Sequence, residues 1–218
     1  MSSSWFSPFF FEFSQVALLE RFETYTTKTE FHVGDFVHWK PGMSCRSVPK
    51  SDEVGIVTEV FPQPVFDPLR KSAGEPTFRE PLTIRIGLML GPVFQEFFMD
   101  GGRMQVVRYE SLSGSQRTCA DKLRDFVTRL QDPRSGPLQP GDIVRWKAGL
   151  KAAKRPDYDQ HCVVMETFPT YYSDKRGACA TGFRDPADVR IGIPDSDGDV
   201  MIYMFDSRRF EKVPASEL

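Results

Sequence analysis

The side chains that could do chemistry are few, and their spacing argues against most of the chemistry they suggest. The only histidines are His32, His38 and His161. His161 precedes Cys162, and Cys179 lies downstream. An imidazole and two thiolates make three of the four ligands of a tetrahedral zinc site, but no convincing fourth accompanies them. Asp195, Asp197, Asp199 and Asp206 match positions 1, 3, 5 and 12 of a calcium loop, yet position 6, where glycine makes the sharp turn, is Val200. The run D-S-D-G-D reads better as a hairpin turn, because Asp and Gly tolerate the positive backbone angles such turns need. Neither a Gly-x-x-x-x-Gly-Lys phosphate loop, a His-Glu-x-x-His helix nor a Gly-x-Ser-x-Gly elbow is present. The expectation is a protein with no metal, no cofactor and no enzymatic activity.

What the sequence does contain is a copy of itself. Gly34, Asp35, Val37, Trp39, Lys40 and Gly42 recur at one constant spacing as Gly141, Asp142, Val144, Trp146, Lys147 and Gly149. Pro49, Val57, Glu59, Phe61 and Pro62 follow in step as Pro156, Val164, Glu166, Phe168 and Pro169. After a loop slightly shorter in the second copy, Phe78, Arg79 and Arg85 return as Phe183, Arg184 and Arg190, and Asp100 and Arg103 as Asp206 and Arg209. So many ordered identities mark an internal duplication. A catalytic base carried through it would sit at equivalent positions, yet His38 answers to Arg145 and His161 to Val54.

The duplicated residues are the better guide to binding. Asp35 and Asp142 precede a strand and are expected to cap a turn. Arg79 and Arg184 lie where a loop meets a strand. They are expected to pair with Asp100 and Asp206; the other reading has them face an acidic ligand through the bidentate guanidinium fork. Trp39 and Trp146 share a strand face with Val37 and Val144, so core packing is the default. Each also ends a strand before Lys-x-Gly, where an aromatic platform with Phe66, Phe78, Tyr171, Tyr172 or Phe183 would suit a protein or peptide partner. Arg145, Lys147, Lys151, Lys154 and Arg155 form the most basic stretch, with no acid among them, and with Arg184 they are the candidate anion contacts. Acidic and basic residues balance across Leu138–Pro214, and the whole chain carries a net charge of −2, so no global field recruits nucleic acid.

Period-two alternation places strands at Phe36 to Lys40, Gly55 to Phe61, Leu82 to Leu90, Phe94 to Met99 and Met104 to Arg108. In the second copy they fall at Ile143 to Lys147, Cys162 to Phe168, Val189 to Ile193, Val200 to Phe205 and Phe210 to Val213. Pro62, Pro64, Pro68 and Pro76 assign the segment after the second strand to a loop. Two helices lie outside these units. Leu123, Phe126, Val127 and Leu130 stripe the first, with Ser115 or Thr118 as its cap; Val16, Leu18, Leu19 and Phe22 stripe the second. Each stripe is expected to pack on a barrel. Cys45, Cys119, Cys162 and Cys179 form no CxxC pair and occupy non-equivalent places, which reads as free thiols in a cytoplasmic protein. The aromatic first residues lack a basic leading region and contain Pro8 and Glu12, unlike a signal peptide. No run reaches the ~20 apolar residues of a membrane helix, so no membrane partner is expected.

The openings V-G-D-F-V-H-W (Val33 to Trp39) and P-G-D-I-V-R-W (Pro140 to Trp146) lead into V-G-I-V-T-E-V-F-P and C-V-V-M-E-T-F-P. These resemble SH3-like small barrels, including the bacterial hemimethylated-DNA-binding and heat-shock family, over about 30 residues per copy. The resemblance implies a bacterial protein of barrel fold. It transfers no site residue, because the proline-rich loops and F-D-S-R-R-F-E at Phe205 to Glu211 have no counterpart in it. The fold class expected is therefore mainly β: two tandem SH3-like five-stranded small barrels at 31–108 and 138–218, a helical linker at 109–137, and an N-terminal extension with a short helix at 1–30. The function expected is a non-enzymatic adaptor binding a protein or peptide. The alternative is a nucleic-acid-binding accessory protein using the basic loop of the second copy.

Overall fold

The computed structural model describes residues 15–67, 72–74, 77–132, 136–172 and 186–217. Among them the chain is mainly β, with two five-stranded antiparallel sheets and two α-helices. Helix α1 (Gln15–Thr26) precedes β1 (Phe36–Trp39), β2 (Gly55–Val65), β3 (Leu82–Leu90), β4 (Val93–Met99) and β5 (Met104–Val106). Helix α2 (Gly114–Leu130) precedes β6 (Ile143–Trp146), β7 (Cys162–Tyr172), β8 (Pro186–Pro194), β9 (Val200–Phe205) and β10 (Phe210–Lys212). The strand orders, β4-β3-β2-β1-β5 and β9-β8-β7-β6-β10, are the same meander with the last strand returning beside the first.

The repeat is reproduced down to register. Trp39 lies opposite Met104 as Trp146 lies opposite Phe210. Both long second strands slip register after the same residue, between Val57 and Glu59 and between Val164 and Glu166. Asp35 and Asp142 each accept a backbone N–H at 2.7 Å, from His32 and Gln139, and so close the turn that launches the first strand of each module. Within that turn Gly34 and Gly141 take φ of 97° and 92°, a region that side-chain-bearing residues rarely enter. Strand β2 runs on through Pro62 and Pro64 to Val65, where a loop was expected. A register shift between Val60 and Val65 carries the prolines past the ladder, which removes the need for their missing N–H.

Each sheet wraps its own apolar cluster. In the first, Val37, Trp39, Val57, Ile86, Phe97 and Met104 are buried together; in the second, Val144, Trp146, Val164, Ile191 and Phe210. Both indole N–H groups donate to a proline carbonyl, Trp39 to Pro49 at 2.8 Å and Trp146 to Pro156 at 2.9 Å, so the one polar atom of each ring is satisfied inside the core.

The helices extend the duplication beyond the limits drawn from sequence. Arg21 of α1 donates to the carbonyl of Pro41, and Arg129 of α2 to that of Ala148, the equivalent residue. The ammonium of Lys40 reaches the Thr24 and Thr27 carbonyls just as Lys147 reaches those of Arg129 and Asp132, so each buried lysine caps the C-terminal end of the helix preceding its own sheet. The repeating unit is thus helix plus sheet. Ser113, and neither Ser115 nor Thr118, caps α2, in a reciprocal capping box with Gln116.

The two helices differ in what they cover. Leu123, Val127 and Leu130 of α2 are buried against Phe36, Val54, Ile56 and Phe94 on the outer side of the first sheet, and Leu150 of the second module joins them. Helix α2 is therefore a wedge packed on both modules. Helix α1 buries no residue. Val16, Leu18, Leu19 and Phe22 are 65%, 57%, 63% and 63% exposed, contrary to the expectation that this stripe packs on a barrel.

Candidate functional site

The aromatic platform expected from sequence is not assembled around the tryptophans. Trp39 and Trp146 are 4% and 2% exposed, and Trp146 stacks on Phe210 at 4.2 Å. Period-two alternation puts both indoles on the same face as the core valines, and the proline carbonyls hold them there. Phe66 is exposed just beyond β2, with the Arg79 guanidinium 5.5 Å above its ring, and Phe78 is half-buried. Tyr171 and Tyr172 end β7, their backbones paired with Ala187 and Pro186; Phe183 and Arg184 lie outside the described residues, as does Cys179.

The expected partnership of Arg79 with Asp100 is also corrected. Asp100 accepts from the Tyr25 hydroxyl at 2.9 Å and the Gly102 N–H at 2.8 Å, with the Arg103 guanidinium 3.7 Å away. Its burial raises its pKa, against the pull of those donors. The same burial, with the bond to Asp100, pushes the Tyr25 phenol up to about 12. Asp206 is held by Arg208, whose Nε lies 2.9 Å away, with Arg209 at 3.7 Å. The short 3-10 turns Gly101–Arg103 and Ser207–Arg209 place these arginines beside the aspartate that caps each turn. In the first module local geometry thus outcompetes the longer-range pairing, while Arg184, the partner expected for Asp206, lies outside the described residues.

The basic stretch is largely neutralised where it lies. Arg145 is bound by Glu211 at 2.9 Å and by Glu217; Lys151 meets Asp157 at 3.0 Å and Arg155 meets Asp195 at 3.1 Å. Lys147 is buried against helix carbonyls, and its desolvation lowers its pKa. Lys154 is exposed. Of the zinc and calcium patterns, His161 is exposed while Cys162 is buried and its thiol is pushed up to about 11 by desolvation, the opposite of what a thiolate ligand needs. Asp195 to Asp199 form the β8–β9 hairpin turn, with Gly198 at φ 86°. His38, whose pKa is lowered by burial, hydrogen-bonds Gln105 at 2.7 Å.

What the structure brings out is one face, present in both modules and used differently in each. On the first sheet Ile56, Arg85, Phe94, Glu96 and Phe98 are all buried. Arg85 pairs with Glu59 at 2.9 Å and lies over the rings of Phe61 and Phe98. The second module supplies the rest of the cover: Arg208 reaches Glu96 at 2.8 Å, and the Arg209 guanidinium reaches the Leu150 carbonyl at 3.2 Å and that of Phe94 at 3.5 Å. Burial opposes the charge of Arg208, but the carboxylates of Glu96 and Asp206 outweigh it and hold its pKa above the ordinary arginine range.

Among the described residues, the corresponding face of the second sheet is open. Arg190 keeps the same pairing with Glu166, at 2.6 Å, and the same place over Phe168, but is 49% exposed where Arg85 is 2%. Val200, Ile202 and Met204, opposite β8 where Phe94, Glu96 and Phe98 sit opposite β3, are 52%, 54% and 44% exposed, and Met165 on β7 is 44% exposed. Strand β9 is moreover a sheet edge, with one side of its backbone unpaired by its own sheet. A signal for this face was readable: V-M-I-Y-M-F is apolar at both parities, whereas an edge strand with a wet face alternates. Neither a protein-family model, a curated protein nor a solved structure matches the chain.

Proposed function

We propose that this chain is a non-enzymatic binding protein, built of two SH3-like barrels, that docks a protein through the outer face of β9. The observation that carries the reading is the contrast between buried Phe94, Glu96 and Phe98 and exposed Val200, Ile202 and Met204. A contiguous apolar patch on an edge strand is the signature of an interaction surface, and the free edge adds main-chain hydrogen bonding to its apolar contacts. The meander whose last strand returns beside the first supports the barrel reading. Compensation of Arg145, Lys151 and Arg155 by acids of their own module favours a protein partner over a phosphate backbone.

The test compares two variants of the full chain. Val200→Asp with Ile202→Asp is expected to abolish capture of protein from a nuclease-treated extract, while Lys151→Ser, Lys154→Ser and Arg155→Ser together leave it intact. Fluorescence anisotropy with a labelled DNA duplex at two salt concentrations is the second arm. Tight, steeply salt-dependent duplex binding that the triple substitution weakens would overturn the proposal in favour of a nucleic-acid-binding accessory protein.

A further inference from the structure

The face on β9 and the face on α1 are the two halves of a junction that the chain already contains once. Inside the chain, α2 lays Leu123, Val127 and Leu130 on the outer side of the first sheet. Helix α1 sits on its own module as α2 sits on its own, through Arg21 and Lys40 where α2 uses Arg129 and Lys147. Aligning the two helices on the carbonyls those lysines reach, Thr24 with Arg129 and Thr27 with Asp132, places Leu18, Phe22 and Tyr25 where α2 has Leu123, Val127 and Leu130. Leu18 and Phe22 thus answer to Leu123 and Val127 of the internal junction yet are 57% and 63% exposed, while Tyr25, which answers to Leu130, is bound to Asp100. The receiving face recurs as well: Ile56 and Phe94 answer to Val163 and Val200, half-buried and exposed.

We infer that the chain binds a second copy of itself head to tail, α1 of one copy lying on the β7–β9 face of the next as α2 lies on the β2–β4 face within the chain. This rests on the reading of β9 as a protein-docking face and names the partner. Charge selects a copy of this chain. Within the chain, Glu96 is buried beneath Arg208. At the proposed contact the counterpart of Glu96 is Ile202 and that of Arg208 is Gly102, so carboxylate and guanidinium are both gone and neither is left buried alone. Arg103, the counterpart of Arg209, is already bound to Glu80 at 2.8 Å in its own module. The contact joins two different faces, so each copy keeps one of each free and assembly continues until a ring closes or a filament grows.

Sedimentation velocity on the full chain across a wide concentration range tests this. The wild type is expected to show mass above the monomer that rises with concentration. Leu18→Glu with Phe22→Glu removes the helix face, and Val200→Glu with Ile202→Glu removes the strand face; each variant alone is expected to stay monomeric. Mixed in equal amounts they are expected to give a dimer and nothing larger, because the first still offers an intact strand face and the second an intact helix. Circular dichroism checks that both fold; should either double variant fail, Leu18→Ser and Ile202→Ser provide the same pairing in milder form. A wild type that stays monomeric overturns the inference, as does a mixture that stays monomeric. So does a monomer that associates only after residues 1–13 are removed, which would assign α1 to the chain's own first residues. If the chain is monomeric but Val200→Asp with Ile202→Asp still abolishes protein capture, the docking face stands and only its partner is wrong; if capture survives too, both readings fall.

Discussion

Glu96 is where the two modules are most sharply bound together, and its replacement by glutamine should uncouple them. Its side chain is 1% exposed, with Arg208 at 2.8 Å from one module, Arg209 at 3.8 Å from the same module, and Arg85 at 4.0 Å from its own. Glu96→Gln keeps the volume and removes the charge, leaving a buried arginine cluster with less carboxylate to balance it. Breaking a buried pair by removing one partner costs about 3–5 kcal/mol. Arg208→Met is milder: its side chain is 30% exposed, and Glu96 would retain two guanidinium neighbours, so the loss is that of a charge-assisted hydrogen bond, about 1.5–3 kcal/mol. Because both substitutions remove the same contact, the double variant should cost less than the sum by at least about 1 kcal/mol. Urea unfolding gives the totals. Hydrogen exchange at the indole N–H groups of Trp39 and Trp146 reports the modules one at a time, since each is locked to a proline carbonyl in its own core. In the wild type the two indoles should exchange with one common opening energy; in Glu96→Gln they should separate. Strictly additive losses, or indoles already separate in the wild type, would refute the idea that Glu96 and Arg208 couple the modules.

Leu123→Ala, at a site fully buried between α2 and the first sheet, should destabilise by about 2–5 kcal/mol in urea unfolding, whereas Leu19→Ala on exposed α1 should fall within about ±0.5 kcal/mol at concentrations where the chain is monomeric. Trp39→Phe and Trp146→Phe each strand a buried proline carbonyl and should cost about 1–3 kcal/mol by the same measurement, without changing protein capture. The bond from Lys212 at 2.9 Å, with the Gln139 N–H, holds the Asp142 carboxyl below its ordinary value. Such a depressed carboxylate adds stability above its unfolded pKa and loses it as pH falls through the folded one, so Lys212→Met should lower the urea midpoint at about pH 6 and draw level with the wild type in strong acid. A difference that persists undiminished in acid would rule out that linkage.

How much of this was legible depended on whether the signal was local or relational. The mainly β architecture, most strand positions and the Asp35 and Asp142 turns follow from patterns within a few residues of one another, and the duplication from meeting those patterns twice in the same order. Trp39 and Trp146 point inward as alternation requires, because a carbonyl ten residues along the chain satisfies the indole N–H that would otherwise draw them to the rim. Asp100 and Asp206 are legible as duplicated, but their partners are not: Tyr25 and the Gly102 N–H hold Asp100, and Arg208, two residues on, holds Asp206 at a 3-10 turn that composition does not announce. The sequences of the helices barely match, so they read as lying outside the repeat; the shared capping by Lys40 and Lys147 reveals the kinship. The β9 face leaves a trace in V-M-I-Y-M-F, apolar where β4 carries Gln95 and Glu96, but only the packing of one module on the other tells which of the two faces is left uncovered.

Duplicated binding modules are usually counted as two grips on a partner, with the second engagement strengthened by tethering to the first. Here the wedge of α2 on the first sheet spends one copy of the face internally, so the valency for any ligand of that face is one. Such a ligand should titrate at one equivalent per chain, and crowding it on a surface should bring no chelate gain from a single chain. A duplication that closes on itself in this way behaves, at that face, as a monovalent molecule with a built-in spacer.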